Sequence, residues 1–246
     1  MRVAAVAGAK GGVGKTAAAV NLAFLAAESG QRTLLWDLDP QGAATHCYRA
    51  KARVKGGASR LLGGKRDLRS FIRHTDYPNL DLLPSDPSFR VADTVLSTRR
   101  WPERVIRKLV RPLESTYDLV ILDCAPGLGI VTESVIAASD LVIAPVIPAP
   151  LAVRSLEQLE EFLVEYRSGL PLLAFLSMLD ERKVLHRQMV NQIKADARFA
   201  LSAVPTSSSV ERMGMEQVPA VVASPNNLAA VSYRRLWAEI SERLGL

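Results

Sequence analysis

Along the chain, short apolar runs alternate with longer stretches whose apolar residues return every three or four positions. Met1–Gly8 is the first run, with Val3 and Val6 set among alanines. Thr16–Ser29 follows, rich in Ala and Leu and free of proline, and Gly30 closes it where a helix stop favours glycine. Arg32–Asp37, Leu80–Pro84, Tyr117–Cys124, Asp140–Val146, Pro171–Leu179 and Ala200–Pro205 read as further strands. Ala152–Arg167, Lys183–Lys194 and Leu228–Leu244 read as helices, as does Asp93–Leu113, broken at Trp101-Pro102. Tyr117–Cys124 is apolar on both faces, which suits a strand buried inside a parallel sheet. This order predicts an α/β fold, a doubly wound, mostly parallel sheet flanked by helices on both faces. No repeat or low-complexity linker divides the chain, so residues 1–246 read as a single domain.

The first strand and helix enclose the chemistry. Between them lies Ala9–Thr16, A-K-G-G-V-G-K-T. A glycine-rich turn feeding a helix N-terminus leaves backbone N–H groups free and adds the positive end of the helix dipole, which together make a phosphate site. Lys15 is placed to reach β- and γ-phosphates and the Thr16 hydroxyl to ligate magnesium, as in a P-loop. The usual P-loop spacing asks for glycine at position 9, where this chain has Ala9, and it carries a second lysine, Lys10. One lysine suffices for the phosphates of its own nucleotide, and two adjacent ammonium groups repel unless polyphosphate lies between them. Farther on, Asp37–Gly42 reads D-L-D-P-Q-G, two carboxylates at the end of a strand. Beside a triphosphate they can hold magnesium and orient water. Asp123 ends an apolar strand, where a carboxylate is costly without a partner, and magnesium chemistry supplies one.

Composition narrows the setting. The net charge is +6 and the pI near 9.5, which allows attraction to nucleic acid or acidic lipid without choosing between them. The two cysteines, Cys47 and Cys124, have neither disulfide-framework nor zinc spacing and fit a reducing cytoplasm. The N-terminus enters the first strand directly, which reads as no signal peptide, and no run has the length of a membrane-spanning helix. Arg49–Arg73 holds nine Lys/Arg against one acid, Asp67, and reads as surface loop and short helix. A solvated basic face and a polyanion contact both explain it.

K-G-G-V-G-K-T resembles the deviant P-loop of the ParA/MinD family of ATPases. D-L-D-P-Q-G matches a family motif, and D-C-A-P-G-L-G at Asp123–Gly129 matches another with Ala125 in place of a proline. Ser177–Asp180 resembles the family's strand end near the adenine, and Val204–Pro219 aligns without gaps to a further family stretch. The resemblance implies a short ParA/Soj-type protein that hydrolyses ATP with magnesium, slowly unless a partner stimulates it. Nucleotide contacts are expected from Lys10, Gly11, Gly12, Val13, Gly14, Lys15, Thr16, Ala17, Asp180 and Pro205. Lys10, Lys15 and Asp39 are expected to be catalytic, Lys10 by reaching across an ATP-sandwich homodimer. Thr16, Asp37, Asp39 and Asp123 are the expected magnesium ligands.

The resemblance also implies sequence-independent DNA binding, a ParB-like or cargo-adaptor partner, and a cytoplasmic, nucleoid-associated protein that segregates DNA or positions protein cargo. Thr206 and Ser209 stand where many family members carry DNA-binding arginines, and Gln217 replaces a glycine. Ala17 and Ala43 are smaller departures, from Thr and Asn. Arg182, Lys183, Arg187, Lys194, Arg198 and Arg212 are therefore the candidate DNA contacts. Beginning at the P-loop strand, the chain is expected to lack the helix-turn-helix extension of longer partition ATPases. The alternative is membrane cycling like MinD, which needs an amphipathic C-terminal tail. Leu236, Trp237, Ile240 and Leu244 are expected to face the sheet instead, so no stable membrane association is expected. An iron-sulfur electron donor of the same P-loop type would need cluster-bridging cysteines that Cys47 and Cys124 do not provide.

Overall fold

The computed structural model describes residues 1–63, 67–193 and 195–246. In chain order it contains β1 (Arg2–Val6), α1 (Lys15–Glu28), β2 (Thr33–Asp37), α2 (Ala43–Cys47), α3 (Gly57–Leu61), β3 (Arg73–His74) and β4 (Leu80–Leu83). Then come α4 (Ala92–Ser97), α5 (Val105–Val110), β5 (Leu119–Asp123), α6 (Ile130–Ala138), β6 (Leu141–Val146), α7 (Pro150–Arg167) and β7 (Leu172–Leu176). The chain ends with α8 (Val184–Ile193), α9 (Ser208–Glu211), α10 (Met213–Glu216), α11 (Ala220–Ala223) and α12 (Leu228–Leu244).

The strands form one seven-stranded sheet in the order β3-β4-β2-β5-β1-β6-β7. Every pairing is parallel except that of the two-residue edge strand β3 with β4. Side chains alternate between the faces, as the pleat requires. Val3, Ala5, Leu34, Trp36, Val120 and Leu122 join the core beneath α3–α7, while Ala4, Val6, Leu35, Leu119 and Ile121 join the core beneath α1, α2, α11 and α12. Each fully buried Leu or Ile stabilises by roughly 1.5–3 kcal/mol, so the two layers together dominate the folding energy.

The sheet's register sets up the site. Asp123 lies opposite Val6 of β1 on one side and Asp37 of β2 on the other. Neighbouring strands lie about 4.8 Å apart. The glycine-rich loop leaving β1 and the two strand-end carboxylates therefore share one edge.

α12 spans the predicted Leu228–Leu244 and begins where the Asn227 side chain accepts from the Ala229 N–H at 2.9 Å. Tyr233, Leu236, Trp237, Ile240 and Leu244 are all buried in the core it shares with α1. They are thus committed to the interior, as expected. No helix among the described residues is long and apolar enough to cross a membrane.

Two expectations change. Ala200–Pro205 is not a strand. Ala200 and Val204 donate to Ala174 and Leu176 of β7, at 2.7 and 2.8 Å, but between them Leu201 is exposed and no strand forms. The reason is a competing acceptor, since the Leu201 and Ser202 N–H groups both donate to the Glu239 carboxylate of α12, at 2.8 and 2.9 Å. The basic segment 49–73 is also not simply surface. Val54, Ala58, Leu61, Leu62, Leu68 and Phe71 are buried in the core, while Arg49, Lys51, Arg53, Lys55, Arg69 and Arg73 are exposed.

α1 is tied to the C-terminal helices by a polar group. Asn21 is fully buried; its amide donates to the Ala17 carbonyl at 2.7 Å and lies 3.3 Å from the Met213 sulfur. Its oxygen accepts from the Val221 N–H at 3.0 Å. From α2, a His46 ring nitrogen lies 2.8 Å from the Gly214 carbonyl and the Cys47 thiol 3.8 Å from the Met213 carbonyl.

Candidate nucleotide and metal site

The loop between β1 and α1 wraps the head of α1. Gly14 is its N-cap residue, in the left-handed region at φ 93°, and a Cβ there would lie 2.8 Å from the Ser177 hydroxyl oxygen. Only glycine meets both conditions without strain. The geometry leaves the first N–H groups of α1 free to face an anion.

The two lysines of this loop differ in environment. Lys15 is buried, and its Nζ donates to the Lys10 carbonyl at 2.8 Å. Burial lowers its pKa, while Asp123 and Asp39 favour its charged form. Lys10 itself is exposed. An open cleft of about 620 Å³ is lined by Gly11, Gly12, Gly14, Lys15, Thr16, Ala17, Asp39, Pro126 and Met178. Six expected nucleotide contacts and Asp39 thus meet in one depression. Val13 is buried beneath the loop.

The three carboxylates also differ. Asp123 is fully buried, and neither of its oxygens has a hydrogen-bond partner among the described residues. Burial raises its pKa well above the ordinary range, with Asp37 beside it adding repulsion. The Thr16 hydroxyl is near enough to favour its ionised form without reaching hydrogen-bond geometry. Asp37 is equally buried but satisfied. One oxygen accepts from the Thr45 N–H and hydroxyl at 2.8 and 2.7 Å, the other from the Asp39 N–H at 3.1 Å. Burial pushes its pKa up to about 6 against the pull of those bonds. Asp39 is half-buried, in the turn beyond the strand, and accepts from the Gln41 N–H at 2.9 Å. The two carboxylates, both expected to hold magnesium, are divided, Asp37 turned into the protein and Asp39 lining the cleft.

The donor set fits magnesium. Two orphaned buried oxygens on Asp123, beside a hydroxyl and at the edge of a phosphate cradle, are hard oxygen donors of the kind that ion prefers. No group of three or more His, Cys, Asp or Glu among the described residues could hold a metal by itself. Magnesium is commonly held by one or two carboxylates together with nucleotide phosphates and water, so this sparse set suits it. Of the four expected ligands, Thr16, Asp39 and Asp123 remain available, while Asp37 is engaged by Thr45.

Asp180 and Pro205 do not line this cleft. A bridge between Leu179 and Pro205 holds them beside its Met178 wall, and the Asp180 carboxylate binds Arg182 at 2.9 Å. Among the candidate DNA contacts, Arg198 pairs with Asp196 and Glu160, both at 2.6 Å, and Arg212 with Glu216 at 2.7 Å. Arg187 donates to the Glu181 carbonyl. Lys183 precedes α8 and is exposed, and Lys194 lies outside the described residues. Sequence reasoning missed Thr45, Ser85, Pro126 and Met178. Pro126 and Met178 sit inside motifs already singled out, and Thr45 follows the D-L-D-P-Q-G turn by three residues. Ser85 left no signal, because L-P-S-D reads as an ordinary turn.

A mostly parallel sheet with an interior strand feeding a glycine loop, a buried lysine at the head of the following helix and a strand-end aspartate without a hydrogen-bond partner among the described residues define a P-loop nucleotide hydrolase fold. Comparisons with known proteins agree. A family described as an AAA domain matches residues 1–170. The sporulation initiation inhibitor protein Soj of Bacillus subtilis is 30% identical over 248 residues, covering 98% of each chain. In structure, a putative plasmid partition protein of Borrelia burgdorferi bound to AMPPNP superposes with a TM-score of 0.86 at 23% identity, over 98% of this chain and 99% of that one. Cobyrinic acid a,c-diamide synthase of Mycobacterium smegmatis, with bound ADP and magnesium, reaches 0.82 at 24% identity, over 100% and 97%. The chain belongs to the ParA/Soj family of ATPases.

Proposed function

We propose that this chain is a magnesium-dependent ATPase that closes into an ATP-sandwich homodimer, binds DNA without regard to sequence, and positions or segregates DNA or protein cargo until a partner protein triggers hydrolysis. The observation that carries this reading is the contrast between the two lysines of one loop. Lys15 is buried and anchored, fit to serve the chain's own nucleotide. Lys10 is exposed, directly before the cleft-lining Gly11, and free to meet phosphates presented by a second copy.

Within one subunit, the loop amides and Lys15 bind and orient the phosphates, and charge stabilisation of this kind is the main catalytic resource in phosphoryl transfer. Thr16 and Asp123 would hold magnesium, which supplies neutralisation of the phosphate charge when bound. Asp39 lines the cleft and is the group that would orient the attacking water. Lys10 would complete the charge only on dimerisation, so the isolated protein should turn over slowly.

DNA binding would rest on Arg182, Lys183 and Arg187 around the start of α8. Arg182 is exposed and Asp180 half-buried, and surface ion pairs of this kind are weak, so phosphate can replace the carboxylate. The test is Lys10→Ala, which should bind ATP as the parent does yet lose ATP-dependent dimerisation in size-exclusion chromatography, together with DNA binding. A Lys10→Ala protein that still dimerises on ATP would remove the sandwich from this reading.

A further inference from the structure

The turn that carries Asp39 is held by a closed ring of hydrogen bonds, and two of its members lie outside every nucleotide motif. The Asp39 N–H donates to one Asp37 oxygen at 3.1 Å. The other Asp37 oxygen accepts from the Thr45 hydroxyl at 2.7 Å. That hydroxyl in turn accepts from the Ser85 N–H at 2.8 Å, and the Ser85 hydroxyl donates to the Asp39 carbonyl. The ring returns to the residue it started from and joins the end of β2, the helix α2 and the segment after β4. Asp37, Thr45 and Ser85 are all fully buried.

We infer that Ser85 and Thr45 are positioning residues for Asp39, holding its backbone at both the N–H and the carbonyl so that its carboxylate stays aimed into the nucleotide cleft. This rests on the role proposed above for Asp39. Three observations carry it. A turn residue gripped at both peptide groups has little freedom to swing its side chain. The grip comes from a separate segment, residue 85, whose hydroxyl has no need to be there for the sheet to form. The Thr45 hydroxyl uses its proton on Asp37 and a lone pair on Ser85, so one atom couples the buried carboxylate to the far segment. Deleting either hydroxyl opens the ring without touching the phosphate loop or Lys15. Ground-state nucleotide binding should therefore persist while the chemical step suffers, the signature of a group that acts only on transition-state geometry.

The experiment compares Ser85→Ala, Thr45→Val and Thr45→Ser with the unmodified full chain. ATP affinity is measured with a fluorescent ATP analogue, hydrolysis by single turnover with magnesium-ATP, and backbone hydrogen exchange over residues 38–42 without nucleotide or metal. Ser85→Ala and Thr45→Val should keep their affinity within about twofold and lose roughly ten- to a hundredfold in the hydrolysis step. Exchange over residues 38–42 should speed up roughly five- to tenfold, with β1 and α12 unchanged. Thr45→Ser, which keeps the hydroxyl, should restore both readouts. Parental hydrolysis by Ser85→Ala, equal impairment of Thr45→Ser and Thr45→Val, or affinity falling in step with rate would each overturn the positioning role. If the unmodified chain turns over no ATP, the proposed function fails instead, and the exchange measurement alone decides whether the ring governs the Asp39 turn.

Discussion

Substituting Gly14 by alanine tests the phosphate loop through its backbone rather than its charges. Position 14 has φ 93°, a conformation that costs an L-residue about 1–2 kcal/mol. The new Cβ would also lie 2.8 Å from the Ser177 hydroxyl oxygen, closer than such atoms approach. Ser177 is buried at the end of β7, so the clash resembles overpacking, which costs typically about 1–3 kcal/mol. Gly14→Ala should therefore lose about 2–5 kcal/mol in urea unfolding without nucleotide. The two contributions separate in a second background. With Ser177→Ala the clash is relieved, and Gly14→Ala should then cost only the conformational part, about 1–2 kcal/mol. ATP binding should weaken in both backgrounds, since the loop amides shift with the strained residue. Equal costs in the two backgrounds would refute the clash, and an unchanged midpoint for the single variant would refute the loop geometry altogether.

Asp39→Ala should bind ATP and dimerise but hydrolyse little; normal single-turnover rates would exclude Asp39 from the chemistry. Lys15→Ala should abolish ATP binding, measured by equilibrium titration, because it removes the buried charge that faces the phosphates. Reversing Arg182, Lys183 and Arg187 to Glu should weaken ATP-dependent DNA binding more than reversing Lys51, Arg53 and Lys55. It should also flatten the salt dependence by about 0.9 in log–log slope for each DNA phosphate that is no longer neutralised, and equal weakening by the two sets would displace the patch. Hydrogen bonds from Arg32 hold the Asp118 carboxyl down to about 2, below its ordinary 3.8. A depressed carboxylate contributes stability above its unfolded value, so this part fades as pH falls from about 4 through about 2. The pair is partly exposed, so Asp118→Asn should remove no more than about 1 kcal/mol, read as the difference between two acid-unfolding curves.

The alternation of apolar runs and amphipathic stretches carried most of the fold, because strand and helix periods are local properties. β1, β2, β5, β6 and α12 fall within a residue or two of where the pattern puts them. Ala200–Pro205 failed because a carboxylate some forty residues away, Glu239, takes the N–H groups a strand would use. At the site, the loop and the cleft-facing Asp39 were legible as motifs. The withdrawal of Asp37 from the expected magnesium ligands was not, since spacing along a strand says nothing of Thr45 on α2 binding its carboxylate. Ser85 was invisible for the same reason: its meaning lies in a partner on the turn after β2.

The buried Asn21 has a mechanical consequence. It joins α1, the helix that begins at the phosphates, to Met213 and Val221, while His46 and Cys47 of α2, just past the Asp39 turn, grip Met213 and Gly214 from the other side. The short helix α10 is thus bolted to both halves of the nucleotide cleft at once. If α1 and α2 shift relative to each other, α10 must tilt or one set of bolts must shear. Any such shift would therefore be passed to α10 and to Arg212 beside it, on the outer surface.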